Sequence, residues 1–208
     1  MRLRIGLLPV IAAVTGVLAS HVAPDARTPS VRIIFPADQV VLSNGRFELI
    51  GLLPPEVRER PTLHVDGKLV HWEPTAPPTL LARCDLQPGR HLIRVGELKL
   101  RIYVSGKGSL PAELSQWTAL RAHPGSADGW NDCAACHAVS EANGQHVIGA
   151  VQTPSACARC HSEEVFQLAH FHPEKPLAGC QECHALHGSE RKALLKASAK
   201  ELCGRCHD

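Results

Sequence analysis

The sequence predicts a multi-domain chain, in which an all-β N-terminal domain is followed by a loop-rich, mainly α C-terminal domain. Two observations lead to this division. Residues 31–105 consist of short β-forming runs separated by turn residues. Residues 123–208 hold eight of the nine cysteines and nine of the thirteen histidines. So few apolar residues remain between them that an ordinary hydrophobic core cannot form there.

The first residues predict export. A basic start, Met-Arg-Leu-Arg, precedes an apolar run, and Val17-Leu18-Ala19 is a possible cleavage site, with Ala23 a weaker one. Residues 1–23 are therefore expected to be a signal peptide, with a retained membrane anchor as the alternative, although the run is shorter than the about 20 residues of a span. Residues 24–30 form a polar linker. We expect a periplasmic or extracellular protein that is membrane-anchored only if this segment is retained.

The segment 31–105 is expected to be a β-sandwich. Asn44-Gly45 and Asp66-Gly67 favour tight hairpin turns between β-forming runs. Apolar and polar residues alternate over 98–104, as in a strand with one buried face. About seven such strands indicate an immunoglobulin-like or fibronectin-like sandwich, without a recognisable family signature. Cys84 lies in an apolar run and is predicted to be a buried structural thiol.

Two helices are predicted outside the sandwich. Residues 106–122 are expected to form a joint and a short helix, because Pro111 precedes Leu114, Trp117 and Leu120 at helical spacing. The segment 190–202 is rich in Ala, Leu and Lys and is expected to be a second helix.

One motif, Cys-x-x-Cys-His, occurs four times in the C-terminal domain. It occurs at Cys133–His137, Cys157–His161, Cys180–His184 and Cys203–His207. This is the attachment signature of a c-type haem, in which two thiols form thioethers and the adjacent imidazole is the proximal iron ligand. Four covalently attached haem c groups are thus predicted. The thioether residues are Cys133, Cys136, Cys157, Cys160, Cys180, Cys183, Cys203 and Cys206, and the proximal ligands are His137, His161, His184 and His207.

Zinc and disulfide bonds are the rival interpretations of these cysteines. The gaps from Cys136 to Cys157 and from Cys183 to Cys203 are close to those between the cysteine pairs of a zinc ribbon. An exported chain with eight clustered cysteines also suits a disulfide framework. Neither interpretation explains why a histidine follows every pair.

An internal repeat predicts the distal ligands. Residues 123–161 and 172–207 share one order: a histidine, a motif, a second histidine and a second motif. The repeated histidines, expected on the distal iron faces, are His123, His146, His172 and His187, and His170 is an alternative to His172.

His187 carries a further geometric expectation. It follows His184 by three residues, so on a helix the two imidazoles share a face and cannot clasp one iron. The iron of His187 would then belong to another haem, most simply the one held by Cys203 and Cys206.

The segment CQECHALHGSERKALLKASAKELCGRCH resembles the doubled CxxCH family of multihaem cytochromes, including its His187-Gly188-Ser189 step and its Glu201-Leu202-Cys203 lead-in. The resemblance implies a multihaem cytochrome domain over 123–208, with low-spin haems ligated by two histidines and used for electron transfer. The first half departs from this pattern, because His146 lies nine residues after its motif instead of three.

Charge differs between the two parts of the chain. Residues 106–208 hold nine Lys or Arg against eleven Asp or Glu, and haem propionates would add negative charge. Redox-partner proteins with a basic docking face are therefore expected, with association that weakens as salt rises. Nothing indicates nucleic-acid binding.

The leading functional hypothesis is an exported tetrahaem cytochrome that carries electrons between redox partners and is not an enzyme. One alternative is a small multihaem reductase with one open haem iron. A membrane-anchored, quinol-oxidising tetrahaem protein is another. A third makes the β domain the working part, as an adhesion or assembly module.

Overall fold

The architecture is described by a computed structural model. It describes residues 31–106, 109–123, 130, 132–151, 155–161, 180–205 and 207. The predicted signal peptide and linker, and the predicted site residues His170, His172 and Cys206, lie outside the described residues. Within the described part of the chain, no helix has the length and apolar character that crossing a membrane requires.

Eight strands occupy the segment predicted to be a sandwich. They are β1 (Arg32–Phe35), β2 (Val40–Leu42), β3 (Arg46–Leu52), β4 (Leu63–Val65), β5 (Lys68–Val70), β6 (Thr79–Asp85), β7 (Gly89–Val95) and β8 (Leu98–Val104). One sheet has the order β1-β3-β6, and the other contains the run β2-β8-β7-β4-β5. The β2–β8 pair is parallel, and the other pairs among these strands are antiparallel. The immunoglobulin-like or fibronectin-like class stays a prediction.

The core lies between the two sheets. Alternate residues of β8 are buried, among them Leu100 and Ile102, and they pack in one cluster with Leu49 of the other sheet. Cys84 belongs to the same cluster and is only 4% exposed. Burial, and then the negative charge of Glu48, raise the pKa of the Cys84 thiol to about 12. Cys84 is therefore an inert, buried thiol, as its apolar surroundings predict.

The two predicted hairpin turns have different outcomes. Asp66-Gly67 connects the antiparallel pair β4 and β5, and both residues have positive φ (51° and 80°). Asn44-Gly45 was wrongly predicted to form a hairpin, because it links β2 and β3, which lie in different sheets. Glycine is required at position 45 by a close approach: a Cβ there would lie 1.8 Å from the carbonyl oxygen of Leu86.

The predicted helix at 111–122 is mostly a strand. A 3-10 helix, Ala112–Leu114, follows Pro111, and β9 (Thr118–Ala122) then pairs in parallel with β2. The free edge of β2 offers unpaired backbone groups, and satisfying them outweighs a weak helical periodicity.

The C-terminal domain is not mainly α, which corrects the predicted fold class. Its described residues contain β10 (His137–Ala142), β11 (Gln145–Val151), β12 (Gly188–Ser189), α1 (Ser155–Ala158), α2 (Ala199–Cys203) and 3-10 helices at Cys133–Ala135, Cys180–Glu182 and Lys192–Leu194. Strands β10 and β11 form an antiparallel hairpin around Asn143-Gly144, whose φ angles are 54° and 71°. Such an Asn-Gly pair between alternating segments is a strong hairpin signal.

The predicted helix over 190–202 is interrupted. Ala193 and Leu194 have φ of 55° and 54°, outside the right-handed helical region. A new helix, α2, begins only after Ser198, which forms a capping box with Glu201. Local propensity is overridden here by contacts that the intervening carbonyls make with the third motif.

The two parts of the chain are joined through backbone pairing. Strand β12 pairs with β9, which extends the larger sheet to the order β12-β9-β2-β8-β7-β4-β5. The N–H of His146 in β11 donates to the carbonyl of Pro74, and its carbonyl accepts from Ala76, both at 2.7 Å. The cysteine-rich segment is thus anchored to the sandwich at two places.

Replacement of Gly45 by Ala is expected to lower the free energy of unfolding by more than about 2 kcal/mol, because the new methyl group meets the rigid backbone of Leu86. Gly67→Ala is the control. It has open space around it, and only its positive φ costs about 1 kcal/mol. Calorimetric unfolding of both variants checks this, and equal losses would contradict the close-approach explanation.

The pair of Asp38 and Arg101 makes stability depend on pH. Asp38 accepts hydrogen bonds from the Arg101 guanidinium and from its backbone N–H. The side-chain bond lowers the pKa of Asp38 below its ordinary 3.8. The stabilisation is therefore present above that ordinary value and is lost as pH falls through the lowered pKa.

We expect Asp38→Asn, which keeps the shape and the acceptor oxygen, to lower Tm by roughly a few degrees at neutral pH. The gap should close as pH falls through the lowered pKa of Asp38. Thermal unfolding of both proteins across a pH series measures it. A gap of constant size down to acid pH would mean that charge is not the cause.

Candidate functional site

Two of the four predicted proximal imidazoles are held by backbone carbonyls. The Nδ1 of His137 lies 2.7 Å from the carbonyl oxygen of Gly149, and the Nδ1 of His184 lies 2.6 Å from that of Ala193. A carbonyl oxygen only accepts hydrogen bonds, so each Nδ1 carries the proton and donates it. The other ring nitrogen, Nε2, then has a free lone pair. This is the tautomer that an Nε2 metal ligand requires, with its ring orientation fixed.

The β10–β11 hairpin provides the first acceptor. His137 opens β10 opposite Val151, and a register shift follows before Val139. This irregularity brings His137 beside Gly149. A Cβ on Gly149 would lie 3.1 Å from the carbonyl oxygen of Ala138, so the absence of a side chain allows the close approach.

The interrupted segment after β12 provides the second acceptor. Residues 193–195 fold back on the third motif: the N–H of Ala185 donates to the carbonyl of Leu194, and the hydroxyl of Ser189 donates to that of Leu195. The positive φ angles of Ala193 and Leu194 belong to this reversal. Left-handed backbone costs about 1–2 kcal/mol for residues other than Gly, and such strain concentrates at functional sites.

Two imidazole pairs occur among the described histidines. The rings of His137 and His187 are parallel within 2°, with centroids 6.0 Å apart. Those of His123 and His161 are inclined at 76°, with centroids 6.3 Å apart. A metal bound to one ring nitrogen lies roughly 3 Å from that ring's centroid, so two rings on opposite sides of one ion stand roughly 6 Å apart. In centroid distance, both pairs leave room for one ion between the rings.

His187 is suited to act as a neutral ligand. Burial lowers its pKa most, and the nearby His137 and His123 lower it further. His187 is not on a helix, and the structure brings its ring to the first motif instead of the fourth.

Two further predicted ligands, His146 and His207, also lie in the described part of the chain. The side chain of His146 is exposed on β11, and His207 is exposed near the end of the chain. The N–H of His207 donates to the carbonyl of Cys203 at 3.0 Å.

The first three motifs lie close together. Burial raises the pKa of Cys157, and a hydrogen bond with Cys180 and the proximity of Cys136 raise it further. The guanidinium of Arg159, inside the second motif, donates to the carbonyl of Ala135, inside the first, at 2.5 Å. Three attachment sites are therefore clustered in space.

The first motif also faces the sandwich. Burial raises the pKa of Cys133, and the charge of Glu48 adds to this while Arg83 opposes it. The guanidinium carbon of Arg83 lies 5.6 Å from the ring centroid of Trp130, in cation–π geometry. Glu48 of β3 and Arg83 of β6, which are cross-strand neighbours, therefore lie near the first motif.

Neither rival interpretation of the motifs gains support in the described ranges. The motif cysteines described there form no disulfide bond with one another. In the same ranges, no group of three or more Cys, His, Asp or Glu is arranged to hold a metal ion. Haem iron needs only two protein ligands on opposite faces, which one imidazole pair can supply.

Comparison with known proteins identifies the end of the chain. Residues 175–208 match the doubled CXXCH motif family. This segment is a multihaem c-type cytochrome-like region, and its motifs indicate covalent haem c binding. No curated protein and no solved structure matches the chain. The number of haems, four, stays a prediction.

Two functional groups were not predicted from the sequence, the backbone carbonyls of Gly149 and Ala193. The first was detectable, because Asn143-Gly144 between alternating segments predicts the hairpin that carries it. The second had no local signal, since Ala193 lies in a segment of high helix propensity.

Two substitutions test the role of Ala193 in the doubled CXXCH region. Ala193→Gly is expected to raise the free energy of unfolding by about 1 kcal/mol, because glycine accepts positive φ without strain. Ala193→Val disfavours that backbone and should move the carbonyl away from His184. Losing this acceptor makes the imidazole a weaker donor to iron and raises the reduction potential of one haem. Redox titration should distinguish the two variants, and identical potentials would contradict this role.

Proposed function

We propose that this protein is an exported tetrahaem c-type cytochrome that transfers electrons between redox partners through haems with histidine on both iron faces. The observation that carries this proposal is the environment of His137. Its Nδ1 donates to the carbonyl of Gly149, and its ring stands parallel to that of His187 at 6.0 Å. An imidazole fixed on one side and faced by a second imidazole on the other suits an electron carrier with no open coordination position.

The proposed roles follow the motif order. The eight cysteines of the four motifs form the thioethers, and the histidine that ends each motif is the proximal ligand. His123 and His187 are distal ligands, supported by the two imidazole pairs. His146 and His172, with His170 as the alternative, are assigned by the internal repeat alone.

When bound, haem iron supplies reversible one-electron exchange between its ferric and ferrous states. The chain supplies the surroundings. Carbonyls hold His137 and His184 in the correct tautomer, and burial keeps His187 neutral. The contact of Arg159 with Ala135 and the proximity of Cys157 to Cys180 keep the attachment sites close, as stepwise electron transfer between neighbours requires.

Export to the periplasm or the outside of the cell is part of the proposal. It rests on residues 1–23 and on the extracytoplasmic place of c-type haem attachment. Partners with basic docking faces are proposed from the excess of acidic residues in 106–208.

A small reductase with one open iron is the second candidate, and one observation favours it. The imidazole of His146 is exposed on β11, whereas His123 and His187 each face a proximal imidazole. If His146 ligates nothing, one iron keeps a free position where substrate binds.

Haem quantification and electron paramagnetic resonance on the mature, secreted protein test the proposal. We expect four covalent haems, low-spin ferric signals only, and no carbon monoxide uptake by the reduced protein. Cys84→Ala is the matched control and should keep all four haems, because Cys84 is buried in the sandwich core. Stoichiometric carbon monoxide binding to one haem would favour the reductase. Secreted protein without haem, or with zinc or disulfides at the motif cysteines, would overturn the proposal.

A further inference from the structure

His187 lies in the second pair of motifs along the chain, but its side chain lies beside the first motif. It follows the third motif by three residues, but its ring is parallel to that of His137, which ends the first motif. We propose that His187 is the distal ligand of the iron attached at Cys133 and Cys136, and that pairing of β12 with the sandwich sheet holds it there. This inference rests on the proposed function and assigns the ligand pairing within it.

The ring geometry favours the first motif over the alternatives. The centroids lie 6.0 Å apart, which leaves room for one metal ion between the two imidazoles. The Nδ1 of His137 is already engaged by Gly149, so its free Nε2 is the nitrogen available to the shared ion. His146 is closer to His137 in sequence, but its side chain is exposed and its backbone is tied to Pro74 and Ala76.

The sandwich determines where His187 stands. Gly188, the next residue, pairs with Ala122 of β9, and β9 pairs with β2 of the sandwich. A Cβ on Gly188 would lie 2.4 Å from Cε2 of Phe35, a ring that is buried in the core cluster. Glycine therefore lets β12 lie directly on the sandwich, which fixes the backbone that carries His187.

This pairing sets the order of electron transfer. His184 and His187 are three residues apart, and three residues span at most about 11 Å. If His184 ligates the third haem and His187 the first, these two irons lie close together, because only three residues of backbone separate their ligands. The first and third haems then exchange electrons directly. The β domain keeps these two haems close together by holding the backbone of His187.

A double-mutant comparison of the full-length mature protein tests the pairing. His187→Ala alone and His137→Ala alone should each remove an axial ligand from one iron, while all four haems stay attached through their cysteines. The expected result is one high-spin haem equivalent in each single variant and still one in the combined variant. His64→Ala, in the sandwich, is the control and should leave all irons low-spin.

The outcomes separate this inference from the proposed function. Two altered irons in the combined variant would mean that His187 serves a different haem, and the cross-ligation would be wrong while the cytochrome function stands. No altered iron in His187→Ala would also overturn it. Protein without covalent haem would instead overturn the proposed function.

A separate pair of substitutions tests the positioning role of Gly188. Gly188→Ala should push β12 away from Phe35 and produce a high-spin fraction at the first haem, although no ligand is changed. Adding Phe35→Leu makes room for the methyl group and should restore the low-spin signal. If Gly188→Ala loses stability but keeps every iron low-spin, the strand does not position His187.

Discussion

A hydrogen bond from imidazole Nδ1 to a backbone carbonyl is the constraint on which the C-terminal half depends. A histidine that must bind iron through Nε2 needs its other nitrogen occupied, or its tautomer and orientation are undefined. The carbonyls of Gly149 and Ala193 meet this need for the proposed proximal ligands His137 and His184. The β10–β11 hairpin delivers the first, and the left-handed residues Ala193 and Leu194 deliver the second. The backbone of this region is therefore arranged to place these two carbonyls beside the imidazoles. The segment 190–202 is not a continuous helix as a result.

The sandwich provides rigidity that the cysteine-rich segment cannot provide for itself. With few apolar residues between the motifs, that segment has little core of its own. It is instead tied to a well-packed sheet by β9 and β12 and by the backbone of His146. The backbone positions of the proposed ligands His146 and His187 are thus set by strand pairing and backbone hydrogen bonds, which tolerate little displacement.

Features that depend on residues close together in sequence were predicted, and features that depend on residues far apart in sequence were not. Strand alternation in β8, the burial of Cys84 and the Asp66-Gly67 hairpin are local properties and were predicted correctly. A continuous helix over 190–202 and most of the helix at 111–122 were wrong predictions, because the ring of His184 and the free edge of β2 compete for those backbones. The mainly α class failed for the same reason. The motif cysteines were identified from spacing alone, and the doubled CXXCH match over 175–208 supports the chemistry of the third and fourth motifs. The proximity of His187 to His137 depends on contacts far apart in sequence and could not be predicted from spacing.

Anomalous diffraction at the iron edge, from crystals of the mature protein, is the most direct test of the central claim that imidazole pairs clasp iron. We expect a peak between His137 and His187 and another between His123 and His161, each about 2 Å from the ligating nitrogens. Peaks at the zinc edge, or electron density joining the motif cysteines to one another without iron, would contradict it.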